Sequence, residues 1–201
     1  MPLPLAHTVT GYAFAAATGV RFRRHAVTAV LFSVVVANLP DLDFIPGALA
    51  NEPVLYHRTI GHTLPAALLC GLIIGAVVTK FGPRFWEIAF LGFAVYSSHL
   101  LADMVHFGGG NIGVQIFWPF DQAWYAIKTP LMHGTHPALH FKRGQDSAGF
   151  FASFFSFQFI RASVLQALIF VPLLFPAWWI RARTERAPEP RAATRLADST
   201  S

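Results

Sequence analysis

Five long apolar segments constrain the fold of this chain more than any other feature. A membrane-spanning helix needs roughly 20 predominantly apolar residues, with about 17 as a lower limit. Segments near that length cover residues 5–20, 25–39, 64–80, 85–107 and 160–180. Hydrophobic residues make up 54% of the chain and charged residues only 12%, whereas soluble domains are about 25% charged. The sequence therefore predicts an all-α transmembrane bundle of about five helices, or of four helices and a re-entrant segment.

The remaining segments define the predicted boundaries of this bundle. The chain has 201 residues, so residues 1–180 are predicted to form one membrane-embedded domain. Residues 181–201 lose all apolar periodicity and predict a basic, disordered tail. We expect no cleaved signal peptide, because prolines stand where its hydrophobic region would begin. Residues 147–159 are too short to span alone, so they should lie at the interface or extend the last helix backwards. Their Phe-rich part, residues 150–159, is expected to pack towards lipid.

The composition excludes several classes of function. The single cysteine, Cys70, rules out an internal disulfide framework and a cysteine-rich metal site. The formal net charge is +5, but the basic residues are scattered in short loops and in the tail. This distribution suits membrane orientation better than binding of nucleic acid, which is not expected.

The distribution of Lys and Arg predicts the orientation in the membrane. Basic residues concentrate at 21–24, at 80–84 and at the start of the tail. With five spans these three places lie on one side, which should be the cytoplasm. The N-terminus, residues 40–63 and a long loop at 105–146 would then be extracytoplasmic, and the C-terminus cytoplasmic.

Seven histidines and aspartates stand at segment ends that this topology brings to the extracytoplasmic side. They are His7, Asp41, Asp43, His57, His62, His99 and Asp103. Since these residues are far apart in sequence but fall at one depth in the membrane, we expect them to form a single site.

Local spacing indicates how some of these side chains converge. Pro40 should end the second helix, and residues two apart in an extended chain point the same way, so Asp41 and Asp43 can face one cavity. His99 and Asp103 are four apart on a helix and share a face.

The segment between the second and third helices needs a different explanation. His57 and His62 are five apart, which would splay them around a continuous helix. Thr63, however, can cap a helix whose first turn holds Pro65. His57 would then belong to the loop and His62 to the helix entry, free to converge.

Imidazole and carboxylate ligands without cysteine favour a catalytic zinc, manganese or iron site over a closed structural zinc site. Seven groups exceed the needs of one tetrahedral ion, so one or two ions are possible, and a pair about 3.5–4 Å apart is common in phosphoester hydrolases. Arg58 could hold a substrate phosphate oxygen, or pair with Asp41 or Asp43. His133, His136 and His140 lack a nearby acid and are not expected to bind the metal, although they could cover the site.

The motifs around these residues resemble the YdjM-type bacterial inner-membrane proteins, described as membrane-bound metal-dependent hydrolases. The matching pieces are HTVTG at 7–11, LPDLDFIPG at 39–47, HRTIGHT at 57–63, SHLLADMVHFGG at 98–109 and WPF at 118–120. The resemblance implies metal binding by the seven residues named above. A looser similarity links the His and Asp arrangement to zinc-dependent phospholipase C enzymes. The family usually has Thr-His-Ser where this chain has Gly61-His62-Thr63. The third helix of this chain also opens with Pro65, where the family has an uninterrupted apolar run. Neither departure removes a ligand.

The predicted function is hydrolysis of an ester or phosphoester by a metal-activated water at the extracytoplasmic membrane face. Zinc is the expected metal, and membrane lipid and a lipid-like substrate are the expected partners. Asp43 or Asp103 would act as general base, and Arg58 completes the predicted catalytic set. The alternatives are a non-enzymatic membrane protein stabilised by its metal and a divalent-cation transporter. A di-iron oxygenase is a weaker alternative, because clustered HxxH-type motifs are absent. Transport needs polar residues that continue to the cytoplasmic side, and the second, third and fifth segments offer almost none.

Overall fold

The structure is a computed structural model that describes residues 3–18, 20, 26–53, 55–105, 113–127 and 146–186. Within these residues the secondary structure is helical, apart from two isolated β-bridges. The α-helices are α1 (Pro4–Ala17), α2 (Ala26–Val36), α3 (Phe44–Leu49), α4 (Leu64–Thr79), α5 (Phe85–Met104), α6 (Ser147–Ser153), α7 (Phe157–Phe170) and α8 (Leu174–Arg186). This architecture confirms the predicted all-α fold.

Three helical stretches are long and apolar enough to cross a membrane. They are Val27–Leu49, which contains α2 and α3, Phe85–Met104, which is α5, and Phe157–Arg183, in which a 3-10 turn joins α7 to α8. Helices α4 and α1 have 16 and 14 residues, so they are only about 24 and 21 Å long. A bilayer core is roughly 30 Å thick. The five predicted helical segments therefore exist, but two of them are shorter than a full span.

The second apolar segment does not stop at Pro40, as the sequence suggested. Helix α2 ends at Val36, and Pro40 then occupies the first turn of a 3-10 helix, Pro40–Asp43, that leads directly into α3. A first turn tolerates proline because the missing N–H has no partner within the helix there. The expectation that Asp41 and Asp43 lie on an extended chain is therefore wrong.

Helix α5 packs against α1, α2 and most extensively α4. The α4–α5 contact depends on two glycines. A Cβ atom at Gly71 would lie 2.5 Å from the carbonyl oxygen of Ala89, and one at Gly75 would lie 2.9 Å from the Cβ of Ala89. Small residues four apart allow such close approach of membrane helices. This packing fixes the end of α5 relative to the start of α4.

Helices α7 and α8 hold the start of α1 in place. Helix α1 packs against α7 and α8, and the buried side chain of Gln166 accepts a hydrogen bond of 2.7 Å from the backbone N–H of Leu3. Because α1, α2, α4 and α5 alternate in direction, the start of α1, the end of α2, the start of α4 and the end of α5 meet at one end of the bundle.

The last segments differ in detail from the prediction. Residues 147–159 neither lie in one helix nor simply prolong the last one: α6 ends at Ser153 and Ser156 caps a separate α7. Helix α8 continues to Arg186, so the first six residues of the predicted tail are helical. The rest of that tail, the basic segment 21–24 and residues 128–145 lie outside the described residues.

Candidate metal centre

The structure brings all seven predicted metal ligands together at this end of the bundle. His7 comes from the first turns of α1, the two neighbouring aspartates from the 3-10 turn after α2, and His99 and Asp103 from the last turns of α5. His57 lies in a turn, and His62 ends a second 3-10 turn, Ile60–His62, directly before α4. The side chain of Thr63 accepts a hydrogen bond from the backbone N–H of Ala66, which confirms the predicted cap.

Five of these side chains direct an atom into one shared space. Nε2 of His62 lies 3.1 Å from Nε2 of His99, 3.5 Å from Oδ2 of Asp103 and 3.7 Å from Oδ1 of Asp41. Nε2 of His99 lies 3.5 Å from the same Asp41 oxygen, and Nε2 of His7 lies 3.6 Å from Oδ1 of Asp103. Two ligands at 2.0–2.2 Å from one tetrahedral ion are separated by about 3.3–3.6 Å. The spacing of these atoms is therefore that of ligands around an ion.

Among the described residues, candidate ligand atoms also fall into three overlapping triplets, in each of which they lie within 4.8 Å of one another. The triplets are His7–Asp41–His99, Asp41–His57–His62 and His62–His99–Asp103. The structure thus places six of the seven predicted ligands in such groups, and Asp43 stands outside them.

Asp43 instead contacts the outer nitrogens of the histidines. Its Oδ1 lies 2.9 Å from Nδ1 of His57, and its Oδ2 accepts a hydrogen bond of 2.9 Å from the backbone N–H of Arg58. Oδ2 also lies 2.9 Å from Nδ1 of His62. This distance is short enough for a hydrogen bond, but the angles of the contact are not those of one. Contacts of this kind orient metal-binding imidazoles.

The 3-10 turn explains why the two aspartates differ. With three residues per turn, Asp41 and Asp43 point about 120° apart around the turn axis instead of in one direction. They contact opposite nitrogens of the same ring, Asp41 near Nε2 and Asp43 near Nδ1 of His62. His99 is held in a similar way, because its Nδ1 lies 2.7 Å from the carbonyl oxygen of Ala37, which leaves Nε2 directed at the shared space.

Three carboxylate oxygens in the centre test whether these residues fit a metal. Within the described residues, both oxygens of Asp103 and Oδ1 of Asp41 are buried and make no hydrogen bond. Buried polar atoms without partners are costly and rare. The guanidinium of Arg58 approaches Asp103 only to 3.4 Å. A divalent cation would satisfy all three oxygens with the ligand types that zinc, manganese and iron accept, so the residues fit such an ion.

The charges of the centre also favour a cation. Three carboxylates face one guanidinium, which leaves two negative charges when the histidines are neutral. Burial by itself lowers the pKa of His62, but the contacts with Asp41 and Asp43 and the charge of Asp103 raise it to about 9. Burial lowers the pKa of His57, despite its bond to Asp43. The carboxylates around the His62 imidazole therefore stabilise a positive charge at this place.

Arg58 is held at the edge of this centre by its backbone. It has a φ of 67°, a left-handed conformation that is uncommon for a residue other than glycine and is often found at functional sites. The guanidinium contacts Asp103 and lies 3.4 Å from the carbonyl oxygen of Gly113. The sequence had suggested Asp41 or Asp43 as its salt-bridge partner, and the structure gives Asp103.

The comparison with protein families agrees with these motifs. A family model described as the YdjM inner membrane protein matches residues 1–182. The chain belongs to the YdjM inner membrane protein family. This membership confirms the resemblance carried by the His and Asp motifs, and with the three apolar helices it makes the chain an inner membrane protein. Searches among curated proteins and among solved structures gave no match.

Some residues that build the centre of this YdjM family member have no signature in the sequence. Phe44 stacks on His57 with ring centroids 3.9 Å apart. The hydroxyl of Tyr96 donates a hydrogen bond of 2.7 Å to the carbonyl oxygen of Gly61, which ties α5 to the turn that carries His62. A Cβ atom at Gly61 would lie 2.9 Å from the carbonyl oxygen of Pro40, so this position needs glycine. His25, His106, His133, His136 and His140 lie outside the described residues.

We expect Asp43→Asn to weaken metal binding about 10–100-fold, the usual cost of losing a partner that orients a ligand. An amide has a single accepting oxygen, so it cannot replace both Asp43 oxygens, one of which bonds to Nδ1 of His57 and the other to the Arg58 N–H. The measurement is zinc affinity by titration against a competing chelator. Asp121→Asn is the matched control, because Asp121 is exposed and bonds to Tyr125 away from the centre. Equal zinc affinity in both variants would contradict an orienting role for Asp43.

Proposed function

We propose that this protein is a membrane-bound, metal-dependent hydrolase of an ester or phosphoester in a lipid-like substrate. One observation carries the proposal: imidazole Nε2 atoms and carboxylate oxygens meet at ligand spacing, while both oxygens of Asp103 are buried and have no hydrogen-bond partner in the part of the chain that the structure describes. Such an arrangement is unfavourable by itself and is relieved by a divalent cation.

Five residues would hold the ion: His7, Asp41, His62, His99 and Asp103. His57 forms a further triplet with Asp41 and His62, which suits a second ion beside the first. A bound divalent ion, with zinc as the expected one, supplies a Lewis acid for the substrate oxygen and activates a water molecule.

The remaining groups receive distinct roles. Arg58 would hold a substrate phosphoryl or carbonyl oxygen, since its guanidinium already lies at the edge of the centre beside Asp103. Of the two carboxylates predicted as general base, Asp103 suits proton transfer better, because its oxygens have different neighbours, Nε2 of His7 near Oδ1 and Nε2 of His62 near Oδ2. One oxygen would bind the ion and the other would take the proton. Asp43 would orient His57 and His62.

One feature of the described residues favours hydrolysis over transport, and a second supports the predicted orientation. Among the described residues, the buried side chains outside the centre include hydroxyls and one amide but no charged group, so no charged path continues along the bundle. The opposite end carries Lys80 and Arg84 beside α4 and α5, and Arg181 and Arg183 on α8. By the positive-inside rule that end would face the cytoplasm, and the centre would be extracytoplasmic.

The test uses the purified full chain, freed of metal with a chelator and reloaded separately with zinc, manganese or iron. We expect one metal to restore hydrolysis of a chromogenic carboxylic ester, phosphomonoester or phosphodiester. Metal bound in whole-number ratio without turnover of any of these substrates would support the non-enzymatic alternative instead. Movement of the ion across proteoliposomes would support transport.

A further inference from the structure

A cavity of about 220 Å³ opens directly beside the metal centre. Of the ten described residues that line it, nine are apolar, five of these are phenylalanines, and the tenth is Asp41. The walls come from the start of α1, from the 3-10 turn with α3, and from α6 and α7. We call this space the acyl pocket. An apolar cavity with one polar group at its end is typical of a ligand site.

A row of aromatic rings lines the acyl pocket from the metal centre outwards. Phe44, which stacks on His57, lies 5.0 Å from Phe150, and Phe154 lies 5.0 Å from both Phe150 and Phe159, measured between ring centroids. Phe150 is completely buried. The expectation that residues 150–159 pack towards lipid therefore holds only for side chains such as Phe155, which is 86% exposed.

Asp41 joins the acyl pocket to the metal centre. Its Oδ1 is buried among the histidines, 3.5 Å from Nε2 of His99. The Asp41 side chain as a whole is 16% exposed and lines the pocket. Among the described residues that line the pocket, Asp41 is the one candidate metal ligand. A molecule with its chain in the pocket would therefore have its polar end at the metal centre.

The outer edge of the acyl pocket is open and apolar. Leu42, Ile45 and Phe151 line it and are each about half exposed. The first two belong to the membrane-spanning stretch Val27–Leu49. An entrance built from apolar side chains on a spanning segment favours entry of a hydrocarbon chain from the bilayer over entry of a polar molecule from water.

We infer that the acyl pocket binds a single acyl or alkyl chain of the substrate and places its ester or phosphoester head at Asp41. Its volume lies below the range of about 300–1,000 Å³ for whole drug-sized ligands, so it suits one chain rather than the body of a two-chain lipid. This inference rests on the proposed function and narrows its substrate class to amphiphiles with a linear chain.

The first test measures binding instead of turnover. The full chain in detergent is loaded with cobalt, and the visible spectrum of cobalt is followed during titration with inorganic phosphate and with butyl, hexyl and octyl phosphate. We expect affinity to rise about fourfold for each added methylene that the pocket buries. Ile45→Trp should fill the pocket and abolish this dependence on chain length without weakening phosphate binding. Leu49→Trp is the matched control, because Leu49 lies on the same helix, is 86% exposed and does not line the pocket.

The comparison between variants removes the contribution of ligand partition into the micelle, which is equal for all of them. Equal dependence on chain length in Ile45→Trp, Leu49→Trp and the natural chain would overturn the acyl pocket while leaving the metal centre intact.

A second measurement separates the pocket from the metal. A fatty acid with a photoactivatable diazirine is crosslinked to the metal-free chain, and the labelled peptides are mapped by mass spectrometry. We expect labelling within residues 146–159 that Ile45→Trp reduces and Leu49→Trp does not. Label confined to segments that do not line the acyl pocket would overturn the inference even if an ester is hydrolysed. Label in the pocket without cobalt binding or hydrolysis would instead refute the proposed function alone.

Discussion

Replacing His99 by alanine should remove the metal from the protein. His99 has the most constrained ring of the centre: Nδ1 is held by the carbonyl oxygen of Ala37, and Nε2 faces Nε2 of His62 and Oδ1 of Asp41. It also stacks on His7 with ring centroids 3.6 Å apart. Loss of a residue that only orients a ligand costs about 10–100-fold in metal affinity, so loss of this direct ligand should cost at least about 100-fold.

The measurement is metal content by elemental analysis after dialysis against a weak chelator. The natural chain should keep about one or two ions, and His99→Ala should keep almost none. Ser98→Ala is the neighbouring control, because the hydroxyl of Ser98 bonds to the carbonyl oxygen of Val95 within α5 and should not affect metal. Equal metal content in His99→Ala and Ser98→Ala would show that the ion lies elsewhere or is absent.

A consequence for stability accompanies this change. Because the ion binds the folded chain, its loss should lower thermal stability by about 3 kcal/mol when free metal stands at 100 times the dissociation constant. Added zinc should therefore raise the melting temperature of Ser98→Ala but not that of His99→Ala.

The fold could be predicted from the sequence because membrane insertion leaves a signal in composition. The apolar segments at 64–80 and 85–107 became α4 and α5 almost residue for residue. Helix ends were harder, because local interactions set them. Pro40 predicts the end of a helix, yet it begins a 3-10 turn that continues into α3.

The residues that form the candidate site could also be predicted from the sequence, but their separate roles could not. Alternating helix directions bring chain positions near 7, 41, 62 and 99 to one end, so the residues at those positions must meet. The contrast between Asp41 and Asp43, however, depends on the rotation of a single 3-10 turn. His99 is oriented by the backbone carbonyl oxygen of Ala37. Every residue has such an oxygen, so the sequence does not reveal this contact.

The acyl pocket was missed for a related reason. It forms where Phe44 meets Phe150, two residues separated by more than a hundred positions in the chain. A Phe-rich stretch beside a spanning helix has the same composition whether its rings face lipid or line a cavity. Only the packing of α6 against α3 distinguishes the two cases.

Asp103→Asn should lower kcat strongly even when metal is saturating. Asp103 is completely buried, and its oxygens lie 3.4 Å from Nε of Arg58, 3.5 Å from Nε2 of His62 and 3.6 Å from Nε2 of His7. The amide can neither accept a proton at neutral pH nor balance the charge of Arg58. General bases contribute about 10²–10⁴-fold to rate, so kcat should fall by a factor in this range.

The same change leaves the guanidinium of Arg58 without its buried partner, and breaking a buried ion pair costs about 3–5 kcal/mol of stability. A lower rate in the single variant could therefore reflect unfolding. The double variant Asp103→Asn with Arg58→Gln removes both charges, so it should recover much of the lost melting temperature. Because loss of Arg58 lowers turnover by itself, the double variant is compared with Arg58→Gln alone, and its kcat should be lower by about 10²–10⁴-fold. Asp121→Asn, an exposed carboxylate, serves as the control for removal of a negative charge. Equal kcat in the double variant and in Arg58→Gln alone would show that Asp103 only balances Arg58 and takes no part in catalysis.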